Sequence, residues 1–215
     1  MPVRRAKPLL LSSPPTPKTK GELTRTAIVE AGYRLFLRKG YHATSMRQIA
    51  QEANLALGGI YNHFDSKEDI FVAALEAHHP YHDMLPALME ARGETVEVYL
   101  RDVAERIVAS LRRQPQIINL VSIELVEFDG RHAPVIAETT FPKLLEIMSK
   151  VQSYNSQLRL VPMPVMLRAF LGLFFSYYIT ESFIKHSPMA NLKIDWISGM
   201  VDIFLHGIVA PHPEG

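Results

Sequence analysis

The sequence predicts an all-α protein: an N-terminal three-helix unit built around a helix-turn-helix, then a larger all-helical body. Three observations carry the prediction. Apolar residues recur at helical spacing through most of the chain, and prolines at positions 80, 115, 134, 162, 164 and 188 punctuate that pattern into segments. No segment alternates apolar and polar residues as a half-buried strand does. Residues 44–70 contain two short helical stretches joined by a tight turn, with a third helix start directly after.

The first helix is expected over about residues 22–39. Thr19 and Glu22 have capping-box spacing, Ile28, Ala31, Leu35 and Phe36 form the inner stripe, and Gly40 suits the position just past the end. Ser45 and Gln48 repeat the capping-box spacing before a short helix whose buried face is Met46, Ile49, Ala50 and Ala53. Asn54 falls where the chain must turn, and asparagine tolerates the left-handed conformation better than most residues. A second helix then runs from about Leu57 to Phe64. Ile60 and Phe64 anchor it, leaving Leu57, Gly58, Gly59, Tyr61, Asn62 and His63 outward, where a recognition helix meets the major groove. Asp65 or Ser66 caps a fourth helix that reaches about His79 and is ended by Pro80. Further helices are expected at about 84–92, 94–113, 115–127, 132–155, 163–186 and 191–209. The implied organisation is a flexible basic arm (1–19), a helix-turn-helix domain (20–68) with a linking helix to about 79, one helical domain (80–210) and a short tail (211–215).

Charge separates along the same boundary. Residues 1–67 carry eleven Lys/Arg against four acidic residues, while the remainder carries twelve against eighteen, so the net charge of +1 conceals two opposed halves. A basic N-terminal part attracts phosphates, although a charge run is often no more than a solvated face. With 215 residues, 47% of them hydrophobic, the chain can bury a sizeable core beside a smaller unit. The absence of cysteine excludes disulfides and thiolate zinc sites. Leu9-Leu10-Leu11 is too short for a signal peptide, and Arg168, Ser176, Thr180, Glu181 and Ser182 inside the apolar run 163–184 favour a buried helix over a membrane span. A cytoplasmic protein with no membrane partner is expected.

The ordered set Ala27-Ile28-Val29-Glu30-Ala31, Leu35-Phe36, Lys39-Gly40-Tyr41, Thr44-Ser45, Ile49-Ala50, Ala53, Gly58, Ile60-Tyr61-Asn62-His63-Phe64 and Ser66-Lys67-Glu68 resembles the tetracycline-repressor (TetR) family of transcriptional regulators. The resemblance spans Leu23 to about Phe71. Two positions depart from the family pattern: Asn54-Leu55-Ala56 stands in place of the usual Gly-Val-Ser turn, and Leu57 in place of a basic residue. Ala56 offers no side-chain cap, which costs about 1 kcal/mol relative to serine. The resemblance implies a homodimer on a double-stranded DNA operator. It implies that Thr44, Ser45, Tyr61, His63 and Lys67 hold phosphates and that Arg47, Gly59 and Asn62 lie near base edges. Tyr61 and His63 could instead pack or cap, and Gly58 and Gly59 fit close backbone approach to the duplex.

In the segment 163–186, Ala169, Gly172 and Ser176 form a stripe of small residues that lets helices approach closely, and the last helix offers Trp196, Ile197, Val201 and Phe204. The family places its dimer interface on the last two long helices, and these match; both could equally fill the protomer's own core. Candidate linings for a small-molecule effector are Met84, Leu88, Tyr99, Val103, Phe128, Met148, Met166, Phe170, Phe174 and Tyr177, which favour an apolar or aromatic ligand but are also ordinary core residues. The functional expectation is a ligand-responsive regulator, most simply a repressor released by its effector. The alternatives are a DNA-binding module controlled by a protein partner, or a helical enzyme. Little supports catalysis: Ser182-Phe-Ile-Lys185 lacks the companion motifs of acyl-serine enzymes, and no phosphate-binding loop, His-Glu-x-x-His or nucleophile elbow is present. His78, His79, His82 and Asp83 could approach a metal but read more simply as solvated helix-end residues, so no metal and no cofactor is expected.

Overall fold

The computed structural model describes residues 19–79, 81–154 and 161–208. The arm's Arg4, Arg5, Lys7 and Lys18, the helix-ending Pro80 and the tail lie outside them. Ten α-helices and one 3₁₀ turn account for the described elements: α1 Lys20–Lys39, α2 Met46–Glu52, α3 Leu57–Tyr61, α4 Lys67–His78, α5 Tyr81–Met89, α6 Val96–Arg113, α7 Ile117–Phe128, α8 Ala133–Ser153, α9 Met163–Ile184, the turn Pro188–Asn191, and α10 Trp196–Ile208.

Local chemistry sets the first four helices. Thr19, Ser45 and Ser66 each cap a helix reciprocally with Glu22, Gln48 and Asp69, so three orphan N–H sets are satisfied from within the sequence. Gly40 adopts φ +82° and donates its N–H to Phe36, ending α1. Asn54 adopts φ +56°; its N–H bonds Gln51 while that of Leu55 reaches Ala50 at 2.8 Å. That is a Schellman stop for α2, with partly buried Leu55 as its apolar contact. Ala56 makes no capping bond, and α3 is a five-residue helix rather than the eight expected. The chain nonetheless keeps turning, with Phe64 N–H on Ile60 O at 3.1 Å, so Ile60 and Phe64 both reach the core as their spacing implies.

Two hydrophobic clusters divide the fold. One gathers Ile28, Leu35, Phe36, Ile49, Ile60, Phe64, Ile70 and Phe71 from α1–α4 and takes in Ile117, Leu120 and Phe128 of α7. Phe128 stacks on Phe71 at 5.0 Å and meets Tyr41 edge-on at 4.8 Å, so α7 is built into the base of the helix-turn-helix unit. The α1–α4 crossing depends on Gly32, where a Cβ would approach Ile70 Cγ2 to 2.5 Å. The second cluster joins α5, α6, α8, α9 and α10 around Tyr99, Leu100, Val103, Met148, Phe170 and Phe204.

Two expected helix starts move, while α8 keeps its expected span. α5 starts at Tyr81 rather than 84 and carries Pro86 within it. α8 continues through Pro142. The last helix starts at Trp196 rather than 191, because Asp195 accepts from the Ser198 N–H at 3.1 Å and the Ser198 hydroxyl at 2.6 Å, an N-cap that holds its carboxyl below the usual range. By length and composition α9 could cross a membrane, but its Met166, Leu167, Phe170, Phe174 and Tyr177 side is buried in the second cluster.

Candidate nucleic-acid surface and ligand cavity

The helix-turn-helix is braced from behind. Glu52 at the end of α2 accepts from Arg34 at 3.3 Å and Arg38 at 3.0 Å on α1, and both guanidiniums hold its carboxyl below the usual carboxylate range. The opposite side is open. Arg47, Gly58 and Asn62 are exposed, Tyr61 is half exposed, and Gly59 and His63 are partly so. A Cβ added at Gly58 or Gly59 would meet nothing within 4 Å. Packing within the protein therefore gives no reason for glycine at either position.

Two residues expected on phosphates also have partners within the protein. Thr44 is 2% exposed, and its hydroxyl donates to Gly40 O at 2.9 Å. Lys67 donates to Tyr41 O at 2.7 Å with its ammonium 4.0 Å from the Tyr41 ring centroid, and burial pushes its pKa down. Ser45 is exposed, but its hydroxyl serves as the α2 cap. Sequence reasoning missed Arg25, an exposed α1 residue whose guanidinium lies 4.2 Å over the Phe64 ring, beside the end of α3. Only the fold brings positions 25 and 64 together.

Between α5, α6, α7, α8 and α9 lies a cavity of about 610 Å³, within the range of small-molecule sites. Its walls include Met84, Ile107, Leu111, Ile118, Val121, Phe141, Leu144, Leu167, Leu171, Phe174 and Phe175. Of the expected lining only Met84 and Phe174 face it. Leu88, Tyr99, Val103, Met148, Met166, Phe170 and Tyr177 are packed in the second cluster, and Phe128 belongs to the first. On α9 the cavity face is turned about one residue from the stripe chosen by sequence, since periodicity identifies the inward side but not whether anything fills the space beyond it.

A second, smaller hollow of about 290 Å³ lies between α4, α7 and α8 and shares His79, Val121, Thr140, Phe141 and Leu144 with the first. His79 closes α4 at the junction of the two helical units. Burial, with a lesser contribution from His82, lowers its pKa to about 4, so the ring is neutral near pH 7. The other histidines near position 80 diverge: His78 stacks on Tyr33 at 3.6 Å and lies 3.0 Å from Glu30, while His82 bonds Glu76 O. Among the described residues no three potential metal ligands converge.

The expected dimer residues divide into two groups. Val201 and Phe204 are buried in the protomer, where Phe204 meets Phe170 edge-on at 5.2 Å while also lining the groove beside Ala169, Gly172 and Ser176. Trp196 and Ile197 are partly buried against the same core. Ala169, Gly172 and Ser176 are exposed or partly so and line a groove with Val165, Arg168, Leu173 and Ile203, the last 68% exposed; Arg168 and Gly172 border the cavity as well. Ile203 was not anticipated, because an apolar helix face does not show from sequence which of its residues the protomer itself consumes.

The braced turn, the open glycine-bearing helix and the separate cavity make an all-helical protein with a helix-turn-helix and a ligand-sized site apart from it. The family model for bacterial regulatory proteins of the tetR family matches residues 28–74, the stretch that holds the helix-turn-helix. The HTH-type transcriptional regulator TtgR of Pseudomonas putida is 35% identical over 77 residues, which cover 36% of this chain and 37% of that protein. The HTH-type transcriptional repressor BepR of Brucella suis biovar 1 is 32% identical over 127 residues, covering 55% and 59%. The matched stretch is thus less than two thirds of either relative. In structure, NalD, the secondary repressor of the MexAB-OprM multidrug efflux pump in Pseudomonas aeruginosa, superimposes with a TM-score of 0.60 at 23% identity over 88% of this chain and 98% of that one, a likeness of fold.

Proposed function

We propose that this protein is a cytoplasmic transcriptional repressor that binds a palindromic operator as a homodimer and releases it when a small, largely apolar molecule enters the cavity between α6, α7, α8 and α9. The observation that carries the DNA-binding part is the open surface around α3, where Gly58 and Gly59 have no packing role within the protein and Tyr61, Asn62, Arg47 and Arg25 are all exposed. Asn62 and Arg47 are the base readers in this account, since amide and guanidinium side chains can each make paired hydrogen bonds to a purine edge. Tyr61, His63 and Arg25 hold phosphates, and the N-terminal arm adds cations. The Ala169–Gly172–Ser176 groove, with Ile203, pairs two protomers so that their α3 helices reach successive major grooves about 34–36 Å apart. The named relatives, a repressor of an efflux pump among them, support repression over activation. Titration of a labelled duplex at several salt concentrations tests the DNA-binding part: the expected result is affinity that falls steeply with salt, and binding indifferent to salt contradicts it.

A further inference from the structure

The cavity's polar groups are few, and nearly all are already used. The Thr140 hydroxyl donates to Ile136 O at 2.7 Å and the Tyr178 hydroxyl to Pro115 O at 2.8 Å. His79 takes the Tyr81 N–H on Nδ1 at 3.4 Å and presents a neutral ring. One charge remains. Arg168, exposed at the cavity rim on α9, makes no hydrogen bond or ion pair with any described residue, whereas Arg112 nearby in the same helical unit is held by Glu181 at 2.9 Å and the Tyr177 hydroxyl at 2.8 Å. Among the described residues, no acidic side chain lines the cavity.

We propose, on the reading of this cavity as an effector site, that its ligand is an amphipathic monocarboxylate, with its apolar body inside and its carboxylate on Arg168 at the mouth. The interior cannot repay the desolvation of a polar body, because it has no free charged partner and few free hydrogen-bonding groups. A cationic head would meet Arg168 with no acid to offset the repulsion. A carboxylate matches the guanidinium fork, and at the rim it keeps part of its hydration, so the charged pair is formed without full burial of either partner. A neutral apolar ligand would fit the walls but would leave the one uncommitted cation unused.

The test uses the full chain and three probes of equal chain length: decanoate, decanol and decyltrimethylammonium, titrated calorimetrically into wild type, Arg168→Gln and Arg168→Lys. The expected result is that decanoate binds wild type about tenfold or more tighter than decanol. Arg168→Gln should abolish that preference with decanol binding retained, and Arg168→Lys should restore part of it. Arg168 is exposed, so neither variant threatens the protomer fold; because it also borders the Ala169–Gly172–Ser176 groove, sedimentation of each variant alongside wild type separates a change in ligand preference from a change in pairing. Equal affinity for decanoate and decanol, a decanoate preference that survives Arg168→Gln, or no binding of any probe would overturn the proposal. DNA affinity measured alongside separates the two readings: tight decanoate binding with DNA affinity unchanged supports the ligand class and contradicts ligand-released repression.

Discussion

His132 reaches Glu68 with 3.1 Å between Nε2 and Oε1, joining the start of α8 to the first turn of α4 and so the helical body to the helix-turn-helix unit. On its other side, Nδ1 lies 2.8 Å from Glu124, a carboxylate only 5% exposed that also accepts the His132 backbone N–H at 2.7 Å. The two acids are therefore not equivalent. Glu124→Ala removes a buried acceptor and strands an N–H and a ring nitrogen, so a loss of about 1–3 kcal/mol is expected, whereas Glu68→Ala removes a partly exposed partner and should cost about 0–1 kcal/mol. Urea unfolding of the two variants measures the difference, and equal losses would show that the network is held from the α4 side.

Ala56 begins α3 with no side-chain bond, and its backbone is already extended, the conformation an N-cap requires. Ala56→Ser should therefore supply the missing acceptor without strain and stabilise the protein by about 0.5–1 kcal/mol. Thermal or urea unfolding checks this. A serine that changes nothing would mean that the α3 N–H groups are satisfied by other means.

How much of this was legible in the sequence varies with how local its cause is. The capping boxes at Thr19, Ser45 and Ser66 and the turn at Asn54 depend on neighbours within three or four residues, so the helix-turn-helix could be read almost element by element. Lys67 and Thr44 could not. Each has a partner within the protein, Tyr41 for Lys67 and Gly40 for Thr44, and for Lys67 that partner lies 26 residues away. The cavity was legible as apolar helices but not as a space, since Leu167 and Leu171 face the void while Met166 and Phe170 in the same helix face packed core.

The His79 ring carries a pH signature. An imidazole titrates near 6.5 in the unfolded chain and at about 4 in the fold, chiefly through burial, so between those values the unfolded chain holds more protons. Stability should therefore fall as pH drops from about 6.5 towards 4 and level off below. The contribution is about 3 kcal/mol at most, less where water enters the cavity. His79→Leu should lose less stability than wild type between pH 7 and pH 5; identical pH profiles would place the ring in a wetter setting.

Ile203 is exposed on the protomer, so a charge there has little to disturb within one copy. Ile203→Glu should leave the folded protomer intact and shift sedimentation from dimer to monomer. Gly172 borders both the groove and the cavity with nothing within 4 Å of an added Cβ, so Gly172→Leu should weaken pairing through volume added on the groove side, and ligand titration alongside shows whether the leucine fills the cavity instead. If both variants remain dimeric, the interface lies elsewhere.

Whether the open face of α3 reads DNA as half of a symmetric pair is decided by selecting bound duplexes from a random pool at fixed salt, with wild type and with Asn62→Ala. Wild type should enrich a two-fold symmetric site with half-sites about 10 base pairs apart, and Asn62→Ala should relax one position in each half at a cost of about 1–3 kcal/mol. A pool with no enriched sequence, or uniform weakening by Asn62→Ala with every position retained, would contradict that reading.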